Sequence, residues 1–167
     1  VRGDATLEVT GDTMTVTIEA SGLPAGMMHM QHIHGHAVGD ETSRCPGASA
    51  DDNGDGLIDL TETEWSAGAT MIPLHGQPAS MAIGGDTYPA AGPEGSYAYQ
   101  QQVPLAALRE GFASKFPEQD LALNRRVIII HGVPEGTDLP DSVGTLADVP
   151  ARMTLPIACA EIRQVES

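Results

Sequence analysis

Four of the six histidines of this chain fall within one short stretch, GMMHMQHIHGH, at positions 26–36. In an extended strand, side chains alternate between faces, so His32 and His34 project from one face about 7 Å apart while Ile33 points to the other. Two imidazoles so placed can share a metal ion if a third ligand comes from a neighbouring strand. His131, which ends the aliphatic run of RRVIIIHG, is the natural third ligand, and His75 in MIPLHG is a candidate fourth. Imidazoles suit Cu²⁺, Zn²⁺ or Ni²⁺, and Met27, Met28 and Met30 beside the pair would suit Cu⁺. The plainer roles are hydrogen-bonded or surface histidines at His29 and His36, and core filling by the methionines.

A second motif, DDNGDGLIDLTE at residues 51–62, has the full D-x-[DN]-x-[DN]-G-x5-E spacing of a calcium loop. Asp51, Asn53 and Asp55 offer side-chain oxygens at positions 1, 3 and 5, Gly56 permits the sharp turn, and Leu57 presents its backbone carbonyl. Asp59 acts directly or through water, Glu62 closes the site, and Ile58 anchors the loop to the core. Pro46 and Gly47 upstream exclude an entering helix, and no second loop is present to pair with it. A lone loop of this kind reads as a structural clasp rather than a sensor.

The elements around these motifs read as β. Leu7 and Val9 in ATLEVT share a face, as do Met14, Val16 and Ile18 in TMTVTIEA, and Gly11-Asp12 joins the two runs as a tight hairpin. Residues 43–64 read as a polar loop, and strand-like runs return at 69–74, 79–83 and 96–103. PLAALREGFASKF is the one expected helix, with Leu105, Leu108 and Phe112 on one side. RRVIIIHG reads as a central buried strand and MTLPIACAEIR as the closing one. Short strands punctuated by 19 glycines and 12 prolines predict an all-β sandwich or barrel with long loops.

At 167 residues the chain fits a single domain, 1–167, with the calcium loop inserted in it. Eight basic against 23 acidic residues give a net charge of −15, which argues against nucleic acid or an anionic membrane as a partner and favours cations. No stretch approaches the ~20 apolar residues of a membrane span. Cys45 and Cys159 are either two buried thiols or one disulfide closing a very long loop, the latter implying an extracytoplasmic setting.

The order of these motifs resembles the Cu/Zn superoxide dismutase superfamily. GLPAGMMHMQHIHGHAVGD is similar to that family's G-L-x-x-G…H-x-H…G-D segment, RRVIIIHG to the strand ending in a further copper-binding histidine, and PIACAEI to the closing strand with its cysteine. The QHIHG core also resembles chordin-type (CHRD) domains. The resemblance implies a Greek-key β-barrel of Ig-like type, copper at His32, His34 and His131, and a Cys45–Cys159 disulfide. It departs from the family in two places. No histidine stands between Cys45 and His75, so a zinc site is not expected and calcium takes over the loop. The family's active-site arginine lies three residues before the second cysteine, where this chain has Pro156; Arg152, four residues further back, is the available substitute.

The functional expectation is an extracytoplasmic copper protein that dismutates superoxide at His32, His34 and His131, with calcium as loop organiser. The alternatives are a non-catalytic copper-binding or carrier protein and a CHRD-like interaction module with structural histidines.

Overall fold

Gly11 adopts a left-handed φ of 57° in a two-residue turn, which folds the first two runs into a hairpin of β1 (Arg2–Thr10) and β2 (Thr13–Ser21). The computed structural model describes residues 1–39, 41–146 and 148–165; Asp40, the last residue of the dismutase-like segment, lies outside them. β2 carries Met14, Val16, Ile18 and Ala20 buried at every second position. It pairs antiparallel with β5 (Ser96–Pro104) to complete a three-stranded sheet of order β1-β2-β5. The second sheet runs β4 (Ala69–Pro73), β3 (Gln31–Gly35), β6 (Val127–His131), β7 (Pro156–Glu161), and every pairing in it is antiparallel.

One apolar core joins the two sheets. Met14, Val16 and Ile18 of β2 and Tyr99 and Val103 of β5 pack with Ile33, Met71, Ile72 and Ile128 of the four-stranded sheet. The all-β class and two-layer arrangement expected from the sequence are present. Ile33 is fully buried in that core, as its alternation with the histidines requires. β3 and β6 are buried at every position because the outer face of their sheet is covered as well. There Val127 and Ile129 pack with Ala67, Cys45 and Cys159, and the disulfide between the two cysteines (S–S 2.03 Å) ties the long loop to β7.

The structure corrects two local expectations. The last residues of the stretch 43–64, read as loop, open α1 (Leu60–Ala67), so the expected single helix, α2 (Leu105–Lys115), is joined by α1 and by a short α3 (Ala151–Thr154). Asp59 caps α1 through the amides of Thr61 and Glu62, while the Glu62 side chain reaches back to the Asp59 amide in a capping box. Residues 79–83 form no strand, because Pro78–Ser80 is a 3-10 turn ended by Met81 in a left-handed conformation. The apolar face of β1 is poorly covered: Leu7 is half-buried and Val9 is 54% exposed, since β1 is an edge strand. No helix among the described residues is long and apolar enough to cross a membrane.

Candidate metal centre

β3 and β6 lie side by side with His32 opposite Ile129 and His34 opposite Val127. One step further, the His131 amide donates to the Met30 carbonyl (2.8 Å), which sets His131 on the same outer face as the pair. The pairing registers shift between Ile33 and His34 against β4 and between Ile130 and His131 against β7, irregularities of the kind that re-aim side chains. A nitrogen from each of the three rings then lies within 4.8 Å of the others, and all three residues are buried. The ring centroids stand 5.2–5.9 Å apart.

Each of these rings has one nitrogen engaged and one without a partner. His131 Nδ1 faces the Thr154 carbonyl at 2.7 Å and His34 Nδ1 the Gly68 carbonyl at 3.3 Å. A carbonyl only accepts, so both Nδ1 atoms carry the proton and both Nε2 atoms carry a free lone pair. His32 Nε2 lies 2.8 Å from the Tyr88 hydroxyl, whose own proton goes to the Ile83 carbonyl at 2.7 Å. His32 therefore carries its proton on Nε2 and its lone pair on Nδ1. The three lone-pair atoms, His32 Nδ1, His34 Nε2 and His131 Nε2, are buried and without hydrogen-bond partners.

Three buried, unpaired acceptors in one place would be costly if nothing filled them, each forfeiting about 1–3 kcal/mol. A metal ion would supply the missing partner, and the outer hydrogen bonds that orient the rings are those expected behind histidine ligands. The electrostatics agree. Burial pushes the His34 pKa down to about 3, aided by His131 and opposed by the Gly68 carbonyl. Burial likewise lowers His131 to about 4 against the Thr154 carbonyl, and holds His32 well below its ordinary value, reinforced by His131, His34 and His75. At neutral pH all three are neutral ligands that need lose no proton to bind.

The remaining histidines form a contrast. His75 stands outside the cluster: its Nε2 meets the Ala82 carbonyl (2.8 Å) and its Nδ1 accepts from the Gln77 amide (3.0 Å). His29 has a backbone carbonyl at each nitrogen, His131 at 3.0 Å and Pro24 at 2.9 Å. His36 lies 3.9 Å from Glu41. Arg152 stands beside Glu135 at 3.8 Å, so its guanidinium faces a carboxylate.

The 51–62 loop closes on itself. Asp51 accepts from the amides of Gly54, Asp55 and Gly56, Asn53 from that of Asp55, and Asp55 from that of Leu57. Glu62 accepts from the amides of Asp52, Asn53 and Asp59. The Ser142 hydroxyl, before the Leu57 amide, holds Asp55 below the usual carboxylate range. Burial pushes Asp59 up, but Thr61, Gly144 and Glu62 outweigh it and hold the pKa low. Leu60, rather than the half-buried Ile58, is the fully buried apolar residue here.

Two arms connect this loop to the histidines. α1 runs from the loop to Gly68, whose carbonyl meets His34; a side chain at Gly68 would collide with the Gly35 backbone, so only glycine allows this approach. On the other side, Ser142 and Gly144 bond Asp55 and Asp59, and Thr145 bonds Thr154 (2.9 Å), whose carbonyl holds His131. Sequence reasoning missed Tyr88, Gly68 and Thr154, which act through a hydroxyl and two carbonyls. No spacing rule points to such groups; the capping box at Asp59–Glu62, by contrast, was a readable sign of α1.

Comparison of the chain with known protein families, with curated proteins and with solved structures finds no match.

Proposed function

We propose that the chain is an extracytoplasmic copper protein of superoxide dismutase-like type, with copper held by His32, His34 and His131 and calcium by the 51–62 loop. The observation that carries this reading is the contrast among the histidines. His75 has a hydrogen-bond partner at both ring nitrogens and His29 has a carbonyl oxygen beside each of its own, whereas the three clustered rings each leave one buried nitrogen with nothing beside it. Structural histidines, as a CHRD-like interaction module would have, need no such arrangement. The pairing of β3 with the distant β6 and the Cys45–Cys159 bridge support the Greek-key, dismutase-like reading of the sandwich. The disulfide supports an oxidising compartment.

Copper, when bound, would supply one-electron redox chemistry, by which two superoxide ions and two protons become one dioxygen and one hydrogen peroxide. The chain's own part is to hold three neutral imidazoles in fixed tautomers, bury them from water, and leave coordination positions unfilled by protein. At the loop, Asp51, Asn53, Asp55, the Leu57 carbonyl, Asp59 and Glu62 provide the oxygens that suit calcium.

Copper-loaded protein should accelerate superoxide decay, and the His32→Ala/His34→Ala variant should not. Equal rates for the two would overturn the enzymatic reading. A second reading, copper storage or transport without turnover, is favoured by the burial of the three free nitrogens and by the Glu135 partner of Arg152. It expects tight copper binding with no dismutation, and binding of Cu⁺ that weakens when Met27, Met28 or Met30 is replaced.

A further inference from the structure

Of the three clustered rings, two have their tautomer set by backbone. The groups that face them are the main-chain carbonyls of Gly68 and Thr154, not side-chain atoms. His32 is different, because the group that fixes it is a side chain. The Tyr88 hydroxyl has one proton, and the Ile83 carbonyl 2.7 Å away takes it, so the oxygen can only receive the proton of His32 Nε2 at 2.8 Å. The Tyr88 ring is 5% exposed and sits edge-on between His32 (centroids 5.3 Å) and His75 (5.0 Å). His75 is in turn fastened by Ala82 and Gln77, so the tyrosine cannot swing away without disturbing both.

We propose that Tyr88 is the positioning residue that dictates which nitrogen of His32 binds the metal, by holding the proton on Nε2 and so reserving Nδ1 for the ion. The inference rests on the metal-binding part of the proposed function and is independent of turnover. Without the hydroxyl, His32 Nε2–H would be a buried donor with no partner. The ring would then gain by moving its proton to Nδ1 or by turning, and either change removes the lone pair from the cluster. The site is thus tuned from a loop that contributes no ligand.

Tyr88→Phe keeps the ring and deletes the hydroxyl. Tyr99→Phe is the control, since the Tyr99 hydroxyl is equally engaged by a backbone carbonyl, that of His75 (2.9 Å), but does not touch the three rings. Nitrogen-resolved NMR of the metal-free native protein at neutral pH should show His32 as a single tautomer protonated on Nε2. In Tyr88→Phe that tautomer should be lost or mixed, and Cu²⁺ affinity should fall roughly 10- to 100-fold with altered nitrogen hyperfine couplings. Tyr99→Phe should lower stability while leaving the tautomer and the couplings unchanged. The proposal is overturned if native His32 carries its proton on Nδ1, or if Tyr88→Phe keeps both the native tautomer and the native Cu²⁺ affinity. The spectrum of the native protein decides the matter even if Tyr88→Phe fails to fold. Absence of Cu²⁺ binding by the native protein would sink the proposed function without touching the tautomer result.

Discussion

His34 at about 3 and His131 at about 4 titrate far below the ordinary histidine value of 6.5, and His32 is displaced the same way, chiefly by burial. The unfolded chain binds protons at these rings below about pH 6.5, whereas the folded chain does so only at the depressed values. Their contribution to stability is therefore fully present above about pH 6.5 and is lost as pH falls toward 3–4. Thermal melts of the metal-free protein should show falling stability from pH 7 to pH 4. Over the part of that range in which the protein stays folded, competition titrations down to about pH 5 should show a nearly constant Cu²⁺ affinity, because no proton is displaced. A steep loss of affinity near pH 6.5 would mean that the rings are exposed. At this scale the alternation of His32, Ile33 and His34 and the place of His131 at the end of an aliphatic run were enough to pick out the three histidines that cluster. The separation of His75 from the cluster was not legible, because proximity in the chain to a strand end says nothing about whether both its nitrogens are already occupied, which depends on Gln77 and Ala82.

α1 gives the 51–62 loop a double role. Glu62 is at once the closing oxygen donor of the calcium motif and half of the capping box that starts the helix. The two roles separate by substitution. Glu62→Ala should lower stability without calcium, by about 0.5–2 kcal/mol as for other lost caps, whereas Glu62→Gln retains an acceptor for the Asp59 amide and should cost less. Both variants, and Asp51→Ala, should lose the rise in melting temperature that calcium gives the native protein. A native melting temperature indifferent to calcium would contradict the clasp. The calcium spacing was read from the sequence, but the helix behind it was hidden because Asp59 and Glu62 were assigned wholly to the ion. The strand expected at 79–83 failed for a different reason. Pro78 starts a 3-10 turn and Met81 takes a left-handed φ of 55°, and hydrophobic content alone does not reveal either.

Across the whole molecule, the Cys45–Cys159 bridge spans 114 residues and joins the long loop to β7, the neighbour of the strand that carries His131. In the chain-entropy description, closing a loop of that length constrains the unfolded state by roughly 4–5 kcal/mol. Reduction, or Cys45→Ala/Cys159→Ala, should therefore lower the denaturation midpoint markedly; an unchanged midpoint would show that the bridge adds little. The net charge of −15 acts at the same scale. It repels an anionic substrate, and salt screens that repulsion beyond about 8–10 Å. Any dismutation should therefore speed up as ionic strength rises from low values. A rate that falls instead would reveal a local attractive field. Composition and short-strand punctuation were sufficient for the all-β class, because alternation such as that of Met14, Val16 and Ile18 is a local property. The coverage of β1 was not legible, since it depends on which strand ends at the sheet edge.

The proposed function requires that the free nitrogens of His32, His34 and His131 bind one copper ion together. Electron paramagnetic resonance of the protein loaded with one equivalent of Cu²⁺ tests this most directly. The native chain should show a single copper species with hyperfine coupling to imidazole nitrogens, and His131→Ala should abolish or reshape it despite lying about a hundred residues from the pair. A native spectrum of unbound or heterogeneous copper, or one that His131→Ala leaves unchanged, would contradict the account.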